Sequence, residues 1–315
     1  MRALITGITG QDGSLLAELL VAEGCDVVGV SRDATDPHAV ANLAAVADAV
    51  TLVRGDLDDP ASLVRALREV EPDEIYHLAA PTFVPASWEQ PAATLGAIAG
   101  ATAALLADAG DARIVVAGSS EVFGDAGESP QRETSPMRPR TPYGAAKLAV
   151  LHLVRVYRAA RGVRASAAIT FNHESERRPE RFVTRKVTRA AAAIRLGLED
   201  ELVLGALDAV RDWSAARDVV GALRLMARAE EPGDYVLASG RGRTVGELVE
   251  TAFAAAGVPV DGHVRRDPAL VRPPEATPPV GDPARARERL GWRAETTFEA
   301  LIGGMVEADL RRLGA

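Results

Sequence analysis

Met1-Arg2-Ala3-Leu4-Ile5-Thr6-Gly7-Ile8-Thr9-Gly10-Gln11-Asp12-Gly13-Ser14 opens the chain and decides how the rest is read. Residues 2–6 form a short apolar run of strand character and residues 14–22 carry a helical pattern, so a glycine-rich turn joins strand to helix. Glycine at positions 7, 10 and 13 permits a tight turn, a close backbone approach to a pyrophosphate, and close packing of helix on strand. The helix N-terminus offers free N–H donors at the same point. A glycine triplet alone says little. In this order, at the head of an alternating chain, it predicts a dinucleotide-binding turn in which Gly7, Thr9, Gly10, Gln11, Asp12 and Gly13 hold the cofactor. The competing reading is a turn whose glycines serve packing only.

Outward from this turn, further short apolar runs occupy residues 25–30, 50–54, 74–78, 113–117 and 165–171, with longer helical patterns between them. Such alternation predicts an α/β fold, a doubly wound parallel-sheet Rossmann domain, because parallel strands need crossover connections and are buried on both faces. In one crossover Asp59-Pro60 starts a helix, Leu63, Val64, Leu67 and Val70 share a face, and Pro72 closes it. After Asn172 the texture changes to a charged, irregular stretch over residues 174–181. Residues 1–172 are therefore assigned to the dinucleotide-binding domain, with segments near 207–239 returning to it, and residues 173–315 to a smaller C-terminal region. There Thr244 and Glu247 form a capping box ahead of Val245, Leu248, Val249, Ala252 and Phe253 at helical spacing, and Gly257 ends that helix. Another helix starts at Asp282-Pro283 and stops at Gly291, and the proline-rich residues 272–279 read as a long irregular loop.

With 315 residues, 47% of them hydrophobic and 25% charged, the chain can bury a substantial core without an outside staple. A net charge of -8 excludes a protein that wraps nucleic acid, which needs a concentrated basic field, but leaves room for a small phosphorylated ligand. The one cysteine, Cys25, rules out an intrachain disulfide or an all-cysteine metal site and reads as a small core residue; no metal is expected. The apolar strand begins at once, with no charged leader before it, and no uninterrupted apolar stretch is long enough to span a bilayer. A cytoplasmic protein without a membrane partner is expected.

At the end of the second strand, Ser31 stands where an acidic residue would grip a free ribose 2′-hydroxyl, and Arg32 follows it. That favours a 2′-phosphate and NADP over NAD, although Asp33 pulls the other way and Arg32 has a bland alternative as a solvated surface charge. Asp56, after the third strand, is placed either to accept from the adenine amino group or to cap a turn.

Tyr143 and Lys147 sit at i and i+4 on a helix that begins after Pro142, so they share a face. An ammonium beside a phenol favours the phenolate, which predicts a tyrosine whose pKa is lowered toward working pH, a candidate base. This spacing is common by chance and becomes specific only beside the glycine turn. Gly118-Ser119-Ser120-Glu121 follows the strand at 113–117, at the carboxyl edge of the sheet where open α/β folds hold ligands. Ser119 can hydrogen-bond a reacting hydroxyl. Glu121 adds a carboxylate able to remove a proton made acidic by an adjacent ketone, beyond what plain hydride transfer requires. Its alternative is an exposed loop acid.

Together these pieces resemble the extended short-chain dehydrogenase/reductase superfamily and, within it, the GDP-mannose 4,6-dehydratase family. The likeness runs nearly the full length. Beyond the glycine turn it is carried by Ser119-Ser120-Glu121-Val122-Phe123-Gly124, Pro142-Tyr143-Gly144-Ala145-Ala146-Lys147, Phe171-Asn172-His173-Glu174-Ser175 and Phe182-Val183-Thr184-Arg185-Lys186. The resemblance implies a nucleotide-sugar 4,6-dehydratase that oxidises its sugar transiently at C4 and yields a 4-keto-6-deoxy product, with Ser119, Glu121, Tyr143 and Lys147 catalytic. It implies cofactor contacts from Arg32, Asp56, Leu57, Leu78, Ala79, Ala80, Tyr143 and Lys147. It also implies nucleotide-sugar contacts from Thr82, Asn172, Val183, Lys186, Arg211, Arg272 and Glu275, which makes the C-terminal region the sugar-binding one, and a homo-oligomer, a dimer first. Some positions depart from the family. Pro81-Thr82-Phe83 replaces Gln-Ser-His near the sugar, Gly96 replaces Asn or Asp, and Ser119 replaces Thr. The segment after the second strand, arginine-rich in the family and part of a tetramer contact there, is shorter and carries Asp33.

Two other functions compete. A C4 epimerase of a nucleoside-diphosphate sugar shares the oxidation by Tyr143 but has no need of Glu121 as a base. A nonenzymatic, NADP-dependent regulatory protein predicts a damaged constellation, whereas Ser119, Glu121, Tyr143 and Lys147 are all present.

Overall fold

The apolar runs of the first half become β1 (Arg2–Thr6), β2 (Asp26–Ser31), β3 (Val50–Arg54), β4 (Glu74–His77), β5 (Arg113–Ala117) and β6 (Ala165–Thr170) in a computed structural model that describes residues 1–33, 40–271 and 277–314. Downstream lie β7 (Asn172–Glu174), β8 (Leu202–Leu204), β9 (Val210–Ala215), β10 (Asp234–Leu237), β11 (Gly242–Thr244) and β12 (Val264–Arg266). The main sheet has the order β3-β2-β1-β4-β5-β6-β10, and every neighbouring pair is parallel. Strand order reverses between β1 and β4, which opens a crevice at their carboxyl ends. Two small sheets, β11-β9-β7 and β12-β8, stand apart from it.

The helices used below are α1 (Gln11–Ala22), α2 (Pro60–Val70), α3 (Pro91–Asp108), α4 (Pro142–Arg161), α5 (Val183–Arg195), α6 (Ala216–Arg228), α7 (Val245–Ala256), α8 (Ala284–Leu290) and α9 (Phe298–Leu313). One face of the main sheet buries Ile75, Ile114 and Val116 under Leu67 of α2, Leu105 of α3 and Val150 of α4. The other buries Ile5 and Val115 under Leu16 of α1 and Leu223 of α6. Helices on both faces make the sheet doubly wound, as the alternating pattern predicts. A third core gathers α5, α7 and α9 around β8 and β9, where Trp213 stacks on Phe298 at 5.7 Å. Here α7 starts at the Thr244–Glu247 capping box and ends at a left-handed Gly257, and α8 ends likewise at Gly291. Asp212 of β9, fully buried, accepts from the N–H and hydroxyl of Ser239 and from the N–H groups of Gly240 and Gly281, pinning the loops around it.

Two expectations need correction. α3, interrupted by a π turn at Gly96–Gly100, has the length and a mean hydropathy (1.3) sufficient to cross a bilayer, contrary to the expectation that no stretch would. Its apolarity has a local cause, since Ile98, Ala101, Leu105 and Leu106 are buried in the first core. Cys25 is half-buried rather than enclosed: it precedes β2, packs on the second core and lies 3.6 Å from Arg228 Nη2.

Candidate active site

The glycine turn is a backbone cradle. Gly10 N–H donates to Gly7 O at 3.0 Å and Ser14 N–H to Gly10 O at 3.1 Å. Gly7 has φ +73°, and a Cβ there would stand 2.9 Å from Ala79 Cα; a Cβ at Gly13 would meet Gly7 O at 2.3 Å. Gly10 caps α1 without a side chain, so the first N–H groups of that helix face the crevice without a side-chain cap. A cleft of about 700 Å³ opens there, lined by Gly7, Thr9, Gly10, Gln11, Asp12 and Gly13. Leu78, Ala79 and Ala80, leaving β4, form another side of it, and Arg32, Asp56, Leu57 and Thr82 border it too. Bare backbone, a helix N-terminus and a long cleft fit a nicotinamide dinucleotide.

At the end beside β2 and β3, Ser31 is buried and donates to Asp33 O at 3.0 Å, while Arg32 and Asp33 both border the cleft. Asp56 Oδ1 accepts from Asp58 N–H at 3.1 Å, so it caps a turn and lines the cleft at once.

Ser119, Glu121, Tyr143 and Lys147 lie beyond the lining, at the ends of β5 and α4. Ser119 accepts from Glu121 N–H at 3.3 Å as the cap of a short turn. Thr141 caps α4 by accepting from Gly144 N–H at 2.9 Å and donates to Glu121 Oε2 at 3.3 Å, which brings the carboxylate to the end of the helix that carries Tyr143. Ser119, Tyr143 and Lys147 are all buried. Lys147 Nζ donates to Ala117 O at 2.7 Å and stands 5.9 Å from the centre of the Tyr143 ring.

The electrostatics overturn one expectation. Burial pushes the Tyr143 phenol up to about 12; a hydrogen bond from Ser119 works against burial, and the charge of Glu121 works with it. Arg178, a cleft residue, is a cation that lowers the phenol, and Lys147 does not offset the burial. The reason is solvation. Lys147 is itself desolvated, which lowers it to about 8 with the charge of Asp12 opposing, and its ammonium is turned to a backbone carbonyl.

The substrate candidates divide. Thr82 borders the cleft, and beside it Phe83 meets Phe182 edge-on at 6.2 Å with Arg181 5.3 Å over its ring. Asn172 opens β7 opposite Trp213, and Val183 opens α5 and packs on the third core. Lys186 Nζ donates to Val203 O at 2.7 Å, and Arg211 Nη1 to Val210 O at 2.6 Å. None of those four lines the cleft. Arg272 and Glu275 lie outside the described residues.

Three residues at the site were not among the candidates. His77 is buried with Nδ1 2.8 Å from Thr6 Oγ1, and burial, aided by Lys147, holds it at about 3 and hence neutral. Arg178 lines the cleft, sits 3.7 Å over the Phe182 ring and lies 3.2 Å from the buried carboxylate of Glu174. His173 pairs with Asp12 of the glycine turn at 2.7 Å. The arginine-dense stretch after Asn172 was the available signal for Arg178; nothing local marks the two histidines.

The family model for GDP-mannose 4,6 dehydratase matches residues 4–305. A GDP-mannose 4,6-dehydratase of Yersinia enterocolitica is 39% identical over 99% of this chain and 94% of its own length. GDP-mannose 4,6 dehydratase 1 of Arabidopsis thaliana is 42% identical over 98% and 89%. Among solved structures, RMD from Pseudomonas aeruginosa complexed with NADPH has a TM-score of 0.82 at 26% identity, covering 99% of both chains. A UDP-glucose 4-epimerase of Thermus thermophilus in complex with NAD has a TM-score of 0.84 at 28% identity, covering 98% of this chain and 99% of its own.

Proposed function

This chain belongs to the GDP-mannose 4,6-dehydratase family, and on that premise we propose that it converts GDP-mannose or a close GDP-sugar to the 4-keto-6-deoxy sugar. The observation that carries the proposal is Glu121, a carboxylate hydrogen-bonded at the cap of the helix that bears Tyr143. A nicotinamide dinucleotide bound along the glycine turn would supply hydride acceptance at sugar C4 and hydride return at C6. Tyr143 takes the proton of the C4 hydroxyl, which Ser119 orients, and Lys147 and Arg178 contribute positive charge near the phenol. Glu121 removes the C5 proton, made acidic by the adjacent ketone, and that proton leaves with the C6 hydroxyl as water; the proton taken by Tyr143 returns to C5 as the C5–C6 double bond is reduced.

The cofactor is held by Gly7, Thr9, Gly10, Gln11, Asp12 and Gly13, by Leu78, Ala79 and Ala80, and at its adenosine end by Arg32, Asp56 and Leu57. Ser31 in place of an acid, followed by Arg32, favours NADP, with NAD as the alternative. The nucleotide sugar is assigned to Thr82, Asn172, Val183, Lys186 and Arg211, joined by Arg272 and Glu275. Residues 1–172 with the 207–239 return form the cofactor unit, and residues 173–315 the sugar-binding region. The chain is a homo-oligomer, a dimer first, in keeping with Trp88, Leu95 and Val156 on or beside α3 and α4, which are 64%, 49% and 58% exposed. The test is a substrate deuterated at C4. A dehydratase carries the label to C6, whereas an epimerase returns it to C4, and a product labelled at C4 overturns the proposal.

A further inference from the structure

We propose that His173 is a positioning residue, held as an imidazolium, that locks the glycine turn in its binding geometry through Asp12; this role rests on the reading above that a dinucleotide lies along that turn. The hydrogen bonds assign all the protons but one. Nδ1 of His173 is 2.8 Å from Phe171 O, a carbonyl that can only accept, so Nδ1 carries a hydrogen. Nε2 is 2.7 Å from Asp12 Oδ2. The other oxygen of Asp12 accepts from Gln11 Nε2 at 3.0 Å. That amide is fixed in orientation, because the same nitrogen donates to His173 O at 3.0 Å and Gln11 Oε1 accepts from Ser175 Oγ at 2.9 Å. Oδ1 of Asp12 is therefore an acceptor, and the hydrogen bond between Oδ2 and Nε2 of His173 is made by one shared proton.

Charge places that proton on the ring. Burial disfavours the charged ring, but the carboxylate beside it outweighs burial and raises the pKa of His173; Asp12, likewise penalised by burial, is lowered by its partner. The other charges facing the pair come from every side: Arg178 of the following loop opposes the imidazolium, Glu174 of β7 supports it, and Lys147 and Tyr143 of α4 face Asp12. His173 is 12% exposed and Asp12 25%, so solvent screens the pair only in part.

The clamp spans 161 residues of chain between Asp12 and His173. Its companions run the same way, from Ser175 to Gln11 and from Arg177 Nη1 to Ser14 Oγ at 2.9 Å. Gln11 and Asp12 form the first turn of α1, whose N–H groups would meet the pyrophosphate, and Asn172 precedes His173. One ion pair thus ties the cofactor turn to the sugar-binding segment. It exists below the raised pKa of His173 and is lost as pH rises through it.

The chain has five histidines, so the ring signals of labelled protein are few and His173 is identified by their loss in His173→Gln. In wild-type protein without ligand, nitrogen NMR at pH 7 is expected to show both ring nitrogens of His173 protonated, and Asp12→Asn to return the ring to its neutral form at that pH. Fluorescence titration with NADPH, and with NADH to subtract the titration of the 2′-phosphate, should show His173→Gln binding about tenfold more weakly at pH 7. Wild-type affinity should fall toward the variant's at higher pH, where the variant stays flat. A singly protonated ring in the wild type overturns the proposal without needing any variant to fold. Unchanged affinity and pH dependence in His173→Gln overturn it too. If wild-type protein binds neither dinucleotide, the functional reading falls as well, which the ring spectrum does not test.

Discussion

At Tyr143 burial and the hydrogen bond from Ser119 pull in opposite directions, and burial prevails. The phenol stands at about 12, so at neutral pH it must give up its own proton before it can take that of the sugar C4 hydroxyl. Tyr143→Phe is expected to cost about 10²–10⁴ in turnover while leaving dinucleotide binding in place; unimpaired turnover would remove Tyr143 from the chemistry. Lys147, lowered to about 8, carries its charge below that pH and loses it above. If its ammonium serves the phenol, kcat/KM falls as pH rises through about 8, and Lys147→Met removes that falling limb together with most of the activity. A flat profile from pH 7 to 9.5 would deny Lys147 this role. The identities of Ser119, Tyr143 and Lys147 were legible in the sequence because local spacing sets their faces. Their protonation was not, because desolvation is set by everything the fold packs around them. His173 shows the same limit, since its partner lies 161 residues earlier.

The element that matters most is the strand, turn and helix at the N-terminus. Gly13 cannot carry a side chain without moving the turn, because its Cβ would stand 2.3 Å from Gly7 O. Gly13→Ala is therefore expected to cost about 1–3 kcal/mol of stability by urea denaturation and to weaken dinucleotide binding more than tenfold; wild-type affinity in that variant would mean the turn is not the cradle. Strands β1 and β3 to β6 were readable as apolar runs bounded by turn signals, and β2 was shifted by one residue because Asp26, not Cys25, begins its pairing with β1. The four-residue β10 and the three-residue β7, β8, β11 and β12 are too short for periodicity to register, and long-range pairing defines them. The end signals of α7 and α8 were legible because a capping box and a glycine in the left-handed region are local devices.

In the whole molecule, a doubly wound sheet carries the glycine turn, with the end of β5 and the start of α4 just beyond the cleft lining, and Val183, one of the residues assigned to the nucleotide sugar, packs on the third core. The proposed chemistry depends on a phenol, a carboxylate and a dinucleotide cradle meeting at one sugar. The sequence alone reached its components by motif and order, whereas the Asp12–His173 tie and the stacking of Arg178 on Phe182 emerged only in three dimensions. The most direct measurement is the mass of the product formed from GDP-mannose by the purified enzyme with its dinucleotide. A sugar lighter by one water, formed by the wild type and not by Glu121→Gln, is the predicted result. A product of unchanged mass, or undiminished conversion by Glu121→Gln, would contradict it.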